Sequence, residues 1–149
     1  MHKIMFVCHG NICRSPMAEF VLKDMVKKRE ISKQFLIASS ATSREEIGNP
    51  VHKGTRKKLL EHHISTDKKF AVQFTKEDYR RYDYVIAMDS YNIINLMHII
   101  REDTDKKVYK LLDFADGGDI ADPWYTGNFD DTYHDVVKGC EGLLQHLGF

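Results

Sequence analysis

Lys3-Ile4-Met5-Phe6-Val7-Cys8-His9-Gly10-Asn11-Ile12-Cys13-Arg14-Ser15-Pro16 holds three kinds of local structure in a row. Lys3 to Cys8 reads as a short buried strand, and the Gly10-Asn11 pair breaks it. Pro16 then suits the first turn of a helix, where its missing N–H costs nothing. That helix is predicted to run to Arg29, burying Ala18, Val21, Leu22, Met25 and Val26. The same alternation continues outward. Phe35 to Ala41 reads as a second strand, and Val51 to His62 as a second helix with Leu59 and Leu60 inward. Tyr82 to Met88 is the strongest strand signal, rich in aromatic and β-branched residues. Asp89 and Ser90 follow as a turn or cap, and a helix carries Tyr91, Ile94, Met97 and His98 to about Arg101. Lys107 to Leu112 is predicted as the fourth strand. The last helix spans about Asp130 to Leu147, with Tyr133, Val136, Val137, Cys140, Leu144 and Leu147 as its apolar stripe. Strands alternating with helices imply an α/β fold: a single domain over residues 1–149, with a four-stranded parallel sheet and helices on both faces.

Composition narrows the function. The 149 residues are 42% hydrophobic and 30% charged, an ordinary balance for one soluble domain. Twenty-two basic residues cancel 22 acidic ones, which argues against a nucleic-acid partner. Three cysteines form no disulfide framework and point to a reducing compartment. The run Ile4 to Val7 is too short for a signal-peptide core or a membrane span, and no internal repeat is found. The expectation is a cytoplasmic protein with no membrane partner, and a monomer.

In a parallel sheet, ligands sit at the carboxyl ends of the strands, and the first such point is Cys8 to Ser15. A loop wrapped tightly between a strand and a helix turns consecutive N–H groups toward one point, and the positive end of the helix adds to them. The N–H groups from His9, Gly10, Asn11, Ile12, Cys13, Arg14 and Ser15 would thus cradle a phosphate. Gly10 and Asn11 are residue types that accept left-handed backbone. Arg14 offers a fork to two phosphate oxygens. Cys8 would lie at the floor, with the same donors favouring its thiolate. Ser15 could donate to the sulfur and ease its departure when an intermediate breaks down.

A phenolate leaving group has a conjugate-acid pKa of about 10, so a general acid helps. Asp122, in Asp122-Pro123-Trp124-Tyr125, fits that role, although a plain turn residue fits the position too. Trp124 and Tyr125 offer flat walls for an aromatic ring, while Trp124 would also serve as a core anchor. Cys140, on its apolar stripe, reads as packing. The histidines and cysteines lack the paired spacing of a zinc site, so neither metal nor cofactor is expected.

These motifs resemble the low-molecular-weight protein tyrosine phosphatases. The resemblance covers the loop Cys8 to Ser15, Ala41-Thr42-Ser43 with Ile47-Gly48-Asn49-Pro50, Thr75-Lys76-Glu77-Asp78, Met88-Asp89 and Asp122-Pro123-Trp124-Tyr125, in order along essentially the whole chain. It implies phosphotyrosine proteins as substrates, Cys8 as nucleophile, Arg14 as phosphate clamp and Asp122 as general acid. It also implies loop-supporting roles for Asn11, Ser15 and Ser39, and a reversible oxidation partner for Cys8 in Cys13, which otherwise reads as a plain thiol. Three positions depart from the family. Glu45 stands on a pocket wall where an aromatic is frequent, Lys69 stands for a supporting histidine, and His9 stands on the rim for a smaller residue. Glu45 predicts weaker binding of acidic peptides. Other users of such a cradle include arsenate reductases, which need extra relay cysteines. Phosphoarginine phosphatases carry threonine where this chain has Ile12. A non-catalytic phosphate-binding module would need neither Cys8 nor Asp122.

Overall fold

Ile4, Met5, Phe6 and Val7 are all buried, so β1 (His2–Cys8) is covered on both faces and takes the centre of the sheet. In the computed structural model, which describes residues 1–149, β1 lies between β2 (Phe35–Ala41) and β3 (Tyr84–Ala87). The fourth strand, β4 (Val108–Lys110), flanks β3, giving the order β2-β1-β3-β4 with every pair parallel. Cys8 pairs with Ala41, and Val7 with Ala87. Alternation along β1 sends Ile4, Phe6 and Cys8 into one core, and Met5 and Val7 into another.

The first core is closed by α1 (Arg14–Lys28), α2 (Lys53–Leu60) and α6 (Phe129–His146), through Met17, Leu22, Leu59, Cys140 and Leu143 among others. The second core takes Tyr79 from α3 (Lys76–Arg81) and Leu96 from α4 (Ser90–Ile100). Helices thus cover both faces, as the alternating pattern predicts. A side chain at Gly142 would run into the carbonyl of Phe114, so glycine there lets α6 lie against the turn after β4. No helix is long and apolar enough to cross a membrane.

Some boundaries move for local reasons. The first helix begins two residues before Pro16, so Arg14 and Ser15 are already helical. The second is shorter than expected: Pro50 bridges to Phe70, His52 becomes the N-cap, and Leu60 faces solvent instead of the core. β3 starts only at Tyr84, because Tyr82 caps the preceding α3. That six-residue helix, held by a Thr75–Asp78 capping box, and the one-turn α5 (Pro123–Thr126) have no sequence period to reveal them.

Since β1 has β2 on one side and β3 on the other, the loops after β1 and β3 diverge at the carboxyl edge. This is the crevice where parallel sheets place ligands. Residues 9–13, the Met88-Asp89 turn and Asp122 all meet there.

Candidate active site

The loop after β1 bends around its own first residue. The N–H groups of Asn11 and Ser15 point at Cys8 Sγ from 3.3 and 3.4 Å, and Ser15 Oγ lies 3.0 Å from it. The N–H groups of Gly10, Ile12 and Cys13 have no acceptor within the protein. They are donors available to an anion at the N-terminus of α1. Asn11 supplies the left-handed turn, at φ 58°. Gly10 does not share that conformation, contrary to the sequence expectation. A side chain there would instead press on Glu46, so its smallness keeps the mouth open.

Beneath the loop, Asn11 is fixed by its side chain. Its Nδ2 donates to Ser15 Oγ at 2.8 Å and Ser39 Oγ at 2.9 Å, and its Oδ1 accepts from Val72 N at 3.1 Å. Ser39 Oγ in turn donates to Glu19 Oε1 at 2.5 Å. Lys69 Nζ donates to the Ser39 carbonyl at 2.8 Å and stands 3.6 Å from Glu19 Oε1. Burial pulls the Lys69 ammonium below its ordinary value, against the pull of the Glu19 carboxylate. Asn11, Ser15 and Ser39 therefore form one chain of hydrogen bonds ending at Cys8, with Lys69 at its far end.

Arg14 is buried and anchored on one edge. Its Nη1 donates to Asp89 Oδ2 at 2.6 Å and to the Ile120 carbonyl at 2.9 Å. Its Nη2 reaches Asp122 Oδ2 at 3.4 Å. Burial alone would lower its pKa, but the Cys8 sulfur, the Asp89 hydrogen bond and the Asp122 and Asp89 charges outweigh that and raise it. Asp122 N-caps α5 by accepting from Trp124 N at 3.0 Å, and Pro123 starts the turn.

The mouth is lined by Cys8, His9, Gly10, Ile12, Cys13, Arg14, Glu45, Glu46, Asp122, Trp124 and Tyr125. Trp124 and Tyr125 are 57% and 84% exposed, so Trp124 is a wall of this pocket and no core anchor. His9 Nε2 meets Glu45 Oε2 at 2.9 Å across the rim. Cys8, Cys13 and Cys140 are all free thiols. Burial foremost, then the charges of Cys8 and Asp122, push the Cys13 thiol up to about 12. Nowhere does a group of three or more His, Cys, Asp or Glu side chains come together in a way that could hold a metal ion.

Two site residues lie beyond the sequence reading. Asp89 is more than a helix cap, because its second oxygen holds Arg14. Its place right after β3, on the same edge as the loop, was the available signal. Glu46 lines the mouth beside Glu45, and only the folded 43–50 loop puts it there.

The model of the family described as low molecular weight phosphotyrosine protein phosphatase matches residues 3–148. YfkJ of Bacillus subtilis, a low molecular weight protein-tyrosine-phosphatase, is 39% identical over 150 aligned positions, covering 99% of this chain and 96% of that one. Its crystal structure superposes with a TM-score of 0.94 at 38% identity, covering 99% of this chain and 94% of the other. SP-PTP, a low molecular weight protein tyrosine phosphatase from Streptococcus pyogenes, gives 0.89 at 45% identity, covering 100% and 95%. A Drosophila arginine phosphatase gives 0.90 at 28%, covering 99% and 98%.

Proposed function

The chain belongs to the low molecular weight phosphotyrosine protein phosphatase family, and from that premise we propose the roles of its residues in hydrolysing phosphotyrosine. The enzyme is a protein-tyrosine phosphatase. The phosphate dianion enters the ring of loop N–H groups, and Arg14 Nη2 turns from Asp122 to a phosphate oxygen. Cys8 Sγ attacks phosphorus in line, and the bond to the tyrosyl oxygen breaks as Asp122, in its acid form, gives that oxygen a proton. The N–H ring and Arg14 stabilise the charge on the three equatorial oxygens. In the second half, Asp122 takes a proton from water, the water oxygen bonds to phosphorus, and the thiolate departs onto the Ser15 hydroxyl.

The observation carrying this reading is the crowding of polar groups on one sulfur: the N–H groups of Asn11 and Ser15 donate to it and Ser15 Oγ lies 3.0 Å away, with Arg14 pinned opposite Asp122. Ile12, an apolar side chain at the mouth, suits a tyrosyl ring better than a guanidino group. Glu45 and Glu46 on the rim disfavour acidic flanking residues. Residues 1–149 act as one catalytic domain. The groups the scheme needs converge within one chain, so a monomer suffices for turnover, and a free-thiol nucleophile suits a reducing cytoplasm.

Turnover of an aryl phosphate by wild type, Cys8→Ser and Asp122→Ala tests the scheme. Cys8→Ser should be inert. Asp122→Ala should be slower by roughly 10²–10⁴-fold, and less so for good leaving groups. Equal rates in all three would end it. Phosphoarginine in the same assay should be a poor substrate, and Glu45→Trp should improve KM for acidic phosphotyrosine peptides.

A further inference from the structure

His52 has no part in the chemistry above, yet it touches four parts of the site's frame. Its backbone N–H donates to the Ile12 carbonyl, inside the phosphate loop, at 2.8 Å. Its ring Nδ1 accepts from Gly54 N at 3.0 Å and caps α2, which leaves the ring proton on Nε2. The ring stacks on Phe129, the first residue of α6, with centroids 5.5 Å apart and planes at 15°. It also meets Trp124 edge-to-face, at 5.6 Å and 74°. Gly54 belongs to the same layer, because any side chain there would collide with the Phe129 ring. Phe129 packs in turn on Ile12, Cys13 and Ala71 behind the loop.

Trp124 needs such a hold. It sits on a helix of four residues and is more than half exposed. A one-turn helix does not fix its own side chains. We propose that His52 is a positioning residue for leaving-group recognition: its ring holds the Trp124 indole upright as the pocket wall, in register with the phosphate loop. This rests on the reading of the mouth as an aryl phosphate site. Asp122 Oδ1 keeps its hydrogen bond from the Trp124 backbone N–H, which does not depend on the indole, so binding of the aromatic group should suffer more than proton transfer.

Two substitutions separate the ring from the cap. His52→Asn removes the ring but leaves an oxygen to accept from Gly54 N. His52→Phe keeps a ring and loses the acceptor. Trp124 is the chain's single tryptophan, so fluorescence anisotropy reports on it alone. In His52→Asn, anisotropy should fall and KM for an aryl phosphate should rise roughly 2–10-fold, the scale of one aromatic pair. Inhibition by inorganic phosphate should hold, and kcat should change less than KM. His52→Phe should restore anisotropy and KM to near wild type, at a lower melting temperature. Unchanged anisotropy in His52→Asn would overturn the proposal. So would equal weakening of aryl phosphate and inorganic phosphate in both variants, which would make His52 a cap and nothing more. If the wild type hydrolysed no aryl phosphate, the phosphatase reading would fall, and the anisotropy of the two variants would still decide the His52–Trp124 link.

Discussion

Asp89 illustrates how one side chain can serve two structures. Its Oδ1 accepts from Asn92 N at 2.8 Å to start α4, and its Oδ2 takes Arg14 Nη1 at 2.6 Å. The guanidinium is thereby held by one edge, with the other edge toward the pocket. Asp89→Asn has a single oxygen, which can cap α4 while its NH2 faces the Arg14 guanidinium as donor against donor, whereas Asp89→Ala removes both contacts. Losing a charge-assisted hydrogen bond costs about 1.5–3 kcal/mol, so Asp89→Ala should lower kcat/KM by roughly 10–100-fold. Asp89→Asn, with its one oxygen on the cap, should lose a similar amount, and an unchanged kcat/KM in Asp89→Ala would mean that Arg14 does not depend on this contact. Lys69 is a different case. It stands where a histidine was expected to support the loop, and its longer ammonium still reaches the Ser39 carbonyl. Glu19 answers its charge from inside α1. Lys69 thus braces Ser39 beneath the loop, paired with an acid that a reading of single residues does not connect to it.

At the scale of elements, legibility follows length and burial. β1 is readable as a short continuous apolar run and α1 and α6 as helices that each bury a periodic face, and the single-domain parallel α/β architecture follows from their order. The short α3 and α5 are not readable, since capping and tertiary contacts form them, not periodicity. The close approach of α6 to the turn at Leu111–Phe114 is equally silent in the sequence, because a helix glycine by itself only signals a weak helix. The fold gives Gly142 its meaning. Alanine there would gain about 1 kcal/mol of helix propensity. It would also drive a methyl into the Phe114 carbonyl, and overpacking of this kind costs about 1–3 kcal/mol. Urea denaturation of Gly142→Ala should therefore show a net loss of stability. An increase would mean that the turn yields freely.

For the whole molecule, the loop and the Asp122 segment are legible because each is a contiguous motif, while Glu46 and His52 enter only when the folded segment between β2 and α2 is laid against the loop. The same convergence explains the thiols. Cys13 is a buried member of the phosphate loop, close to the charges of Cys8 and Asp122, and its pKa rises from 9.0 to about 12. A raised folded pKa means that the native state keeps a proton that the unfolded chain gives up. The resulting stability is complete below pH 9 and disappears as pH climbs toward about 12. Cys140 is shifted the same way by burial, with Glu141 adding to it, and buried Tyr82 and half-buried Tyr84 add to the background. Replacing Cys13 alone isolates its share. Melting temperatures taken from pH 8 upward should fall more steeply for wild type than for Cys13→Ala, whatever offset the smaller side chain introduces at pH 8. Parallel curves would mean that the Cys13 proton is as free in the folded enzyme as in the unfolded chain. The site would then be wetter and less charged behind the loop than its geometry requires.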